Sequence, residues 1–288
     1  MPYSDLQLAD AFIQTGELAD ALDALDRHLA AHVDDQTARR LRAQVRARVE
    51  GQQDNALADF AALLDHTPED IILQSNLLVG MGRAEDALTV IADGHTQFPD
   101  QDRLTERYLH LLHETGQIDK ARAIVATRPA DAWRWRSWSG DLAVAAEDDA
   151  AALTHYTAAI SIMEDRYNLD ALTGAAVLDD TRFGPTDRIS DAAALTIEAE
   201  YARLLIARAG VNLRLGDLDA AEAGYVQAAV ILPDDVTILF FRGLIAHQRG
   251  NTKTAQRLCL DGLAGVTASV REQLLTAAPA DLRAMLTA

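Results

Sequence analysis

A single cysteine, Cys259, stands in 288 residues, which excludes an internal disulfide and a multi-cysteine zinc site. Aromatic side chains make up only 5% of the chain, so its core cannot be built mainly from large rings. Lysine is nearly missing: of 26 basic residues only Lys120 and Lys253 are not arginine. Positive charge as a whole is outweighed by 44 acidic residues, and the net charge of −18 argues against general binding to nucleic acid or anionic membranes. No run approaches the length of about eighteen apolar residues that suggests a membrane span. There is no phosphate-binding glycine loop, nucleophile elbow or dinucleotide fingerprint, so nothing supports an enzyme or a cofactor. Met1-Pro2-Tyr3-Ser4-Asp5 leads into a helical pattern without the basic start and apolar stretch of a signal peptide, and the expected location is cytoplasmic.

What the chain has is alanine, 54 residues of it, and a recurring pair. Gly16/Ala21, Gly51/Ala56, Gly82/Ala87, Gly116/Ala121, Gly216/Ala221 and Gly250/Ala255 repeat the same spacing at intervals of about 34 residues. A seventh copy keeps Ala152 but has Glu147 where the glycine belongs. Each unit reads as two amphipathic helices: Leu6, Ala9 and Ile13 precede the first glycine, and Leu18, Ala21, Leu22 and Leu25 follow it at helical spacing. The glycine supplies the positive φ that ends the first helix. The alanine lets the second helix approach the first closely. Four residues on comes a larger filler: Leu25, Phe60, Ile91, Val125, Tyr156, Tyr225 and Cys259. Pro68, Pro99 and Pro233 are expected to mark helix ends.

This pattern resembles the tetratricopeptide repeat family. The fullest copy runs from Leu213 through Gly216, Ala221, Tyr225 and Ala228 to Pro233, each on a signature position, and Gly140 and Gly243 fill the small-residue position in two other copies. The resemblance implies an all-α, right-handed superhelical solenoid acting as a protein–protein interaction module, with the first helix of each unit lining a concave groove. It covers repeats one to five at 2–163 and repeats six and seven at 202–266. The family's usual aromatic near the start of each unit is mostly missing, and repeat four ends early at Pro129.

Two regions leave the period. Residues 164–201 form an acidic insert, read as part of a pair of long helices with a loop at Gly184-Pro185, or alternatively as a decayed repeat. Ser190 is the expected N-cap of a helix running toward Gly216. Residues 267–288 read as capping helices broken at Pro279, covering the last apolar face.

Taken with the resemblance, the groove positions are Arg103, Glu106, His110 and His113 in repeat four and Arg134, Ser137, Trp138 and Asp141 in repeat five, with Arg107 beside them. Residues 101–140 carry seven basic and five acidic side chains, a local excess that would attract an acidic segment or a terminal carboxylate. Alternatively, Trp133, Trp135 and Trp138 pack between repeats and the arginines are solvated. The family's carboxylate clamp uses Lys and Asn, and of the matching positions Leu6, Asp10, Leu41, Val45, Ile72 and Asn76 only Asn76 fits, so binding of chaperone tails is not expected. Those first grooves look apolar, with Ile13, Val49 and Val79, and suit an amphipathic helix, a chain terminus or a second copy of the chain.

Arg39, Arg40, Arg42, Arg46 and Arg48 spread around one helix and are expected to pair with Asp34, Asp35 and nearby acids rather than with nucleic acid. His110 and His113 share a face with Glu106, and His28 and His32 lie one turn apart, but neither pair has a zinc framework, so no metal is expected. Cys259, on a filler position, reads as a buried hydrophobe. The reading is thus a scaffold that binds a protein or peptide partner, with a self-associating homo-oligomer as the alternative.

Overall fold

The computed structural model describes residues 3–167, 169 and 191–287, and its regular structure among these residues is helical. The chain forms two compact units, Met1–Ala121 and Arg122–Ala288. In the first unit α1 (Asp5–Thr15) pairs with α2 (Leu18–Ala31), α3 (Gln36–Arg46) with α4 (Gln53–Ala61), and α5 (Pro68–Gly80) with α6 (Ala84–Gln97), before α7 (Asp102–Glu114). The short α8 (Ile118–Val125) contains the division. In the second unit α9 (Trp133–Ala145) packs on α10 (Asp149–Tyr167), α11 (Asp191–Leu215) on α12 (Leu218–Ile231), and α13 (Thr237–Gln248) on α14 (Thr252–Leu263). Two short helices, α15 (Ala268–Ala277) and α16 (Ala280–Thr287), follow, with α16 against α14. No described helix is long and apolar enough to cross a membrane.

The glycine–alanine pair accounts for six of the hairpin turns. The six paired glycines turn with φ between 72° and 83°. All seven alanines five residues on are fully buried, and every filler residue from Leu25 to Cys259 lies in the core. At Gly140 a Cβ would stand 2.5 Å from the Tyr156 ring, so α9 and α10 touch there only because the side chain is a hydrogen. Glu147 keeps the left-handed turn at φ 59° without being glycine. Pro68 differs from expectation: it opens α5 as its first residue, behind a Thr67/Asp70 capping box, because a proline lacks only an N–H that the first helical turn leaves unbonded anyway.

The arginines of α3 also find other partners than Asp34 and Asp35. Asp35 caps α3 through the Ala38 N–H and meets His28 Nε2 at 2.8 Å. Arg42 and Arg46 instead converge on the buried Asp59 of α4 at 2.5 and 2.8 Å, and both reach Asp26 of α2. Arg40 donates to the fully buried Asp70 of α5 at 2.7 Å. Hydrogen bonding to Asp59 raises the Arg42 pKa above its ordinary value, against the opposing effect of burial. The cationic look of this helix is therefore spent on holding its neighbours.

In the second unit, α11 spans 25 residues ending at Leu215, the long helix expected before Gly216. Arg214 of α11 chelates Asp149 of α10, with a shortest contact of 2.6 Å. Tyr201 donates to Glu164 Oε1 at 2.6 Å, and burial with that carboxylate pushes its phenol pKa upward. The Gly184-Pro185 loop, Ser190 and most of the acidic insert lie outside the described residues. Leu274, Ala278 and Leu282 close the end of the core, as a cap requires.

Replacing Glu147 by glycine relieves a left-handed residue and is expected to stabilise the chain by about 1 kcal/mol in urea titration; no gain would mean that the side chain offsets the strain. Removing Asp59 by Asp59→Ala leaves two largely buried guanidinium groups with only the exposed Asp26 to share and is expected to cost about 3 kcal/mol in the same titration.

Candidate partner-binding surfaces and a basic cavity

The expected groove residues fall on two units. In the first, α7 buries Leu104, Tyr108, Leu111 and Leu112 on one side and leaves Arg103, His110 and His113 exposed on the other, as an amphipathic 3.6-residue period dictates. Arg107 is half-buried, and its Nε has no hydrogen-bond partner among the described residues. Asn76, exposed on α5, holds the register position that His110 holds on α7, each six residues before its turn glycine. Leu41 and Val49 of the α3 repeat and Ile72 and Val79 of α5 are half-buried, with Leu41 and Ile72 each ten residues before the turn glycine, so the apolar face persists there. Val45 is withdrawn from it into the core.

In the second unit the groove positions of α9 are largely used by the fold. Trp138 and Ser137 are buried. Ser137 Oγ accepts from Arg203 of α11 at 2.7 Å, and Asp141 accepts from the Tyr156 hydroxyl at 2.6 Å. Arg134 is half-buried with its guanidinium 5.6 Å from the Trp133 ring centre. Trp135 is buried too, under the Arg128 guanidinium 5.4 Å from its ring. Of the two sequence readings of the tryptophans, packing describes Trp135 and Trp138.

The basic excess of residues 101–140 has another destination. Arg122 at the end of α8, Arg128 in the following turn and Arg136 of α9 line one cavity of about 370 Å³, on the side of α9 away from Arg134 and Asp141. His155 of α10 shares it, and Val125, Trp135 and Leu142 form its apolar wall. No acidic residue lines it. Arg136 is held by its Nε bond to the Ala130 carbonyl at 2.9 Å, and neither it nor Arg122 makes an ion pair among the described residues. The His155 Nδ1 atom is buried without a hydrogen-bond partner. Burial, then the positive charges of Arg136 and Arg122, lower the His155 pKa; Asp148 at the start of α10 opposes them.

This cavity was not foreseen from the sequence, although its cause was visible. Repeat four ends early at Pro129, and α8 has eight residues where α2, α6 and α12 have 14. The missing turns leave α9 and α10 uncovered.

Among the described residues no group of three or more His, Cys, Asp or Glu is placed to hold a metal, so His110, His113 and Glu106 do not assemble one. The His28 and His32 rings lie 4.7 Å apart, and His28 is engaged by Asp35. Cys259 is buried against Gly243, and burial pushes its thiol up to about 11, which suppresses the thiolate.

The stacked helix hairpins define a helical repeat array. No family model and no curated protein matches the chain. Solved structures do. A tetratricopeptide repeat protein from Parabacteroides merdae is 14% identical and superposes with a TM-score of 0.60 over 97% of both chains. The C-terminal part of a TPR repeat-containing protein from Cytophaga hutchinsonii is 11% identical with a TM-score of 0.59, over 93% of this chain and 97% of that one. Yeast Tom70, also 11% identical, gives 0.52 over 94% of this chain and 59% of its own. The chain therefore has the tetratricopeptide repeat fold.

His155 is expected to stay neutral at pH 7 and to titrate below the ordinary imidazole value of 6.5 in an NMR titration. Because the unfolded chain then binds the proton more readily, its contribution is present above 6.5 and stability falls as pH drops below it. A His155→Gln variant should lose that part of the pH dependence.

Proposed function

We propose that the protein is an interaction scaffold whose first unit docks an amphipathic helical segment bearing acidic side chains. One observation carries this reading: the half-exposed Leu41, Ile72 and Val79 on first-helix positions are continued in register by exposed Asn76, Arg103 and His113. An apolar stripe bordered by the Arg103 guanidinium and by the hydrogen-bonding side chains of Asn76 and His113 suits a partner helix with its hydrophobic face inward and its carboxylates toward α7. The tetratricopeptide fold supports an interaction role at the level of architecture, since each added hairpin lengthens such a face. Arg107, with His110 beside it, belongs to the same surface. Arg134 and Trp138 of the second unit are assigned a lesser part, because Trp138 is buried and Arg134 rests on Trp133.

The test is capture of partners from native lysate followed by a binding titration with the captured segment. Wild-type bait runs beside two variants, Val79→Asp and the double change Arg103→Glu with His113→Glu. The expected outcome is one partner retained by wild type and bound about tenfold more weakly by each variant, roughly 1.4 kcal/mol. A partner bound equally by all three would remove the α5 and α7 face from the site. Recovery of the chain alone, with a higher mass in light scattering, would favour self-association.

A further inference from the structure

The geometry points to the cavity between α8, α9 and α10 as a binding site for a small phosphate monoester, its oxygens held by Arg122 and Arg136 and its organic part against Val125 and Leu142. Four observations meet there. The volume of about 370 Å³ lies within the range of small-ligand pockets, about 300–1,000 Å³. The chain carries a net charge of −18, yet no carboxylate lines this cavity. Arg122 and Arg136 have no ion-pair partner among the described residues, whereas Arg40, Arg42 and Arg46 of the other unit each meet a buried aspartate. The His155 Nδ1 atom is buried and unbonded, and the two arginines lie close enough to His155 to shift its proton equilibrium.

Planar guanidinium groups bind phosphate through paired N–H donors, and a dianion matches two of them better than a monocarboxylate does. Arg136 is already oriented by its bond to Ala130, which leaves its terminal nitrogens available to a ligand at lower entropic cost. Arg128, stacked on Trp135, forms part of the rim and is not needed as a free cation. A bound dianion would also favour the charged imidazole, giving His155 Nδ1 a proton to donate.

The site is separate from the partner surface of the first unit, so either reading can fail without the other. The test is calorimetric titration of the full chain with phenyl phosphate, inorganic phosphate and benzoate. Phenyl phosphate is expected to bind saturably at one site per chain, with inorganic phosphate and benzoate each about tenfold weaker. Arg122→Glu should weaken phenyl phosphate by at least about tenfold, since it replaces one guanidinium by a repelling carboxylate. Arg134→Glu, on the other side of α9, should leave it unchanged. Helical signal and melting temperature check that Arg122→Glu remains folded, as its exposed position predicts. As a second reading on the unaltered protein, phenyl phosphate should raise the His155 pKa in an NMR titration. Absence of saturable binding, equal affinity in Arg122→Glu, or inorganic phosphate binding as tightly as the ester would overturn the proposal. Benzoate binding more tightly than phenyl phosphate would overturn the phosphate assignment.

Discussion

Each helix pair depends on one close approach, that of the second helix onto the first at a fully buried alanine. Ala21, Ala56, Ala87, Ala121, Ala152, Ala221 and Ala255 have no side chain beyond Cβ to hold the axes apart, and the residue four positions on can then fill the space beside the crossing. Where the approach is closest, even Cβ is excluded on the facing helix: Gly140 lies under the Tyr156 ring and Gly243 under Cys259. The turn glycines are the other half of the same constraint, because a left-handed residue reverses the chain within a few residues and fixes the register of the two helices. Small residues at the crossing explain how a chain with 5% aromatics still packs a core in the second unit that runs from Ala143 to Leu282.

Adjacent pairs are joined in two ways. Apolar stacking runs through both units, but the first adds an ionic seam in which the buried Asp59 and Asp70 and the exposed Asp26, from three different helices, are collected by Arg40, Arg42 and Arg46 of α3. A guanidinium can serve two carboxylates at once through its separate nitrogens, as Arg42 does with Asp26 and Asp59, and a lysine could not match that geometry. The preference for arginine over lysine thus has a structural use in this seam.

Periodic features were legible in the sequence and single contacts were not. The hairpins, the fillers, the long α11 and the break at Pro279 all follow from spacing, because a helix imposes its period on every residue it contains. Proximity in sequence points the α3 arginines to Asp34, Asp35 and nearby acids, of which Asp26 is a partner, while stacking brings in Asp59 and Asp70 from later helices. Ser137 and Trp138 held groove positions by register, yet Arg203 and the core claim them, since register says which side a residue faces and nothing about what the next repeat lays over it. The basic excess of residues 101–140 divides between two places, Arg103 and Arg107 on α7 and Arg122, Arg128 and Arg136 around the cavity, for charge counts along a chain ignore the side of the helix on which each charge emerges.

The two short second helices show why truncation alone does not make a cavity. After α4, nine residues long, the chain folds back: Leu63 enters the core, and the Ala62 and Asp65 carbonyls accept from Arg39 and Arg40. After α8, Pro129 has no N–H to offer and Ala130 is exposed; the turn meets α9 through the Arg136 bond to the Ala130 carbonyl and through Arg128 over the Trp135 ring. The space left is bordered by whatever α8, α9 and α10 already present there, and those residues are arginines and a histidine without a carboxylate among them. An acidic chain has many ways to neutralise such a border, as α3 demonstrates. Arg122 and Arg136 make no ion pair among the described residues, and a cationic hollow with an apolar wall suits an anion that carries an organic part.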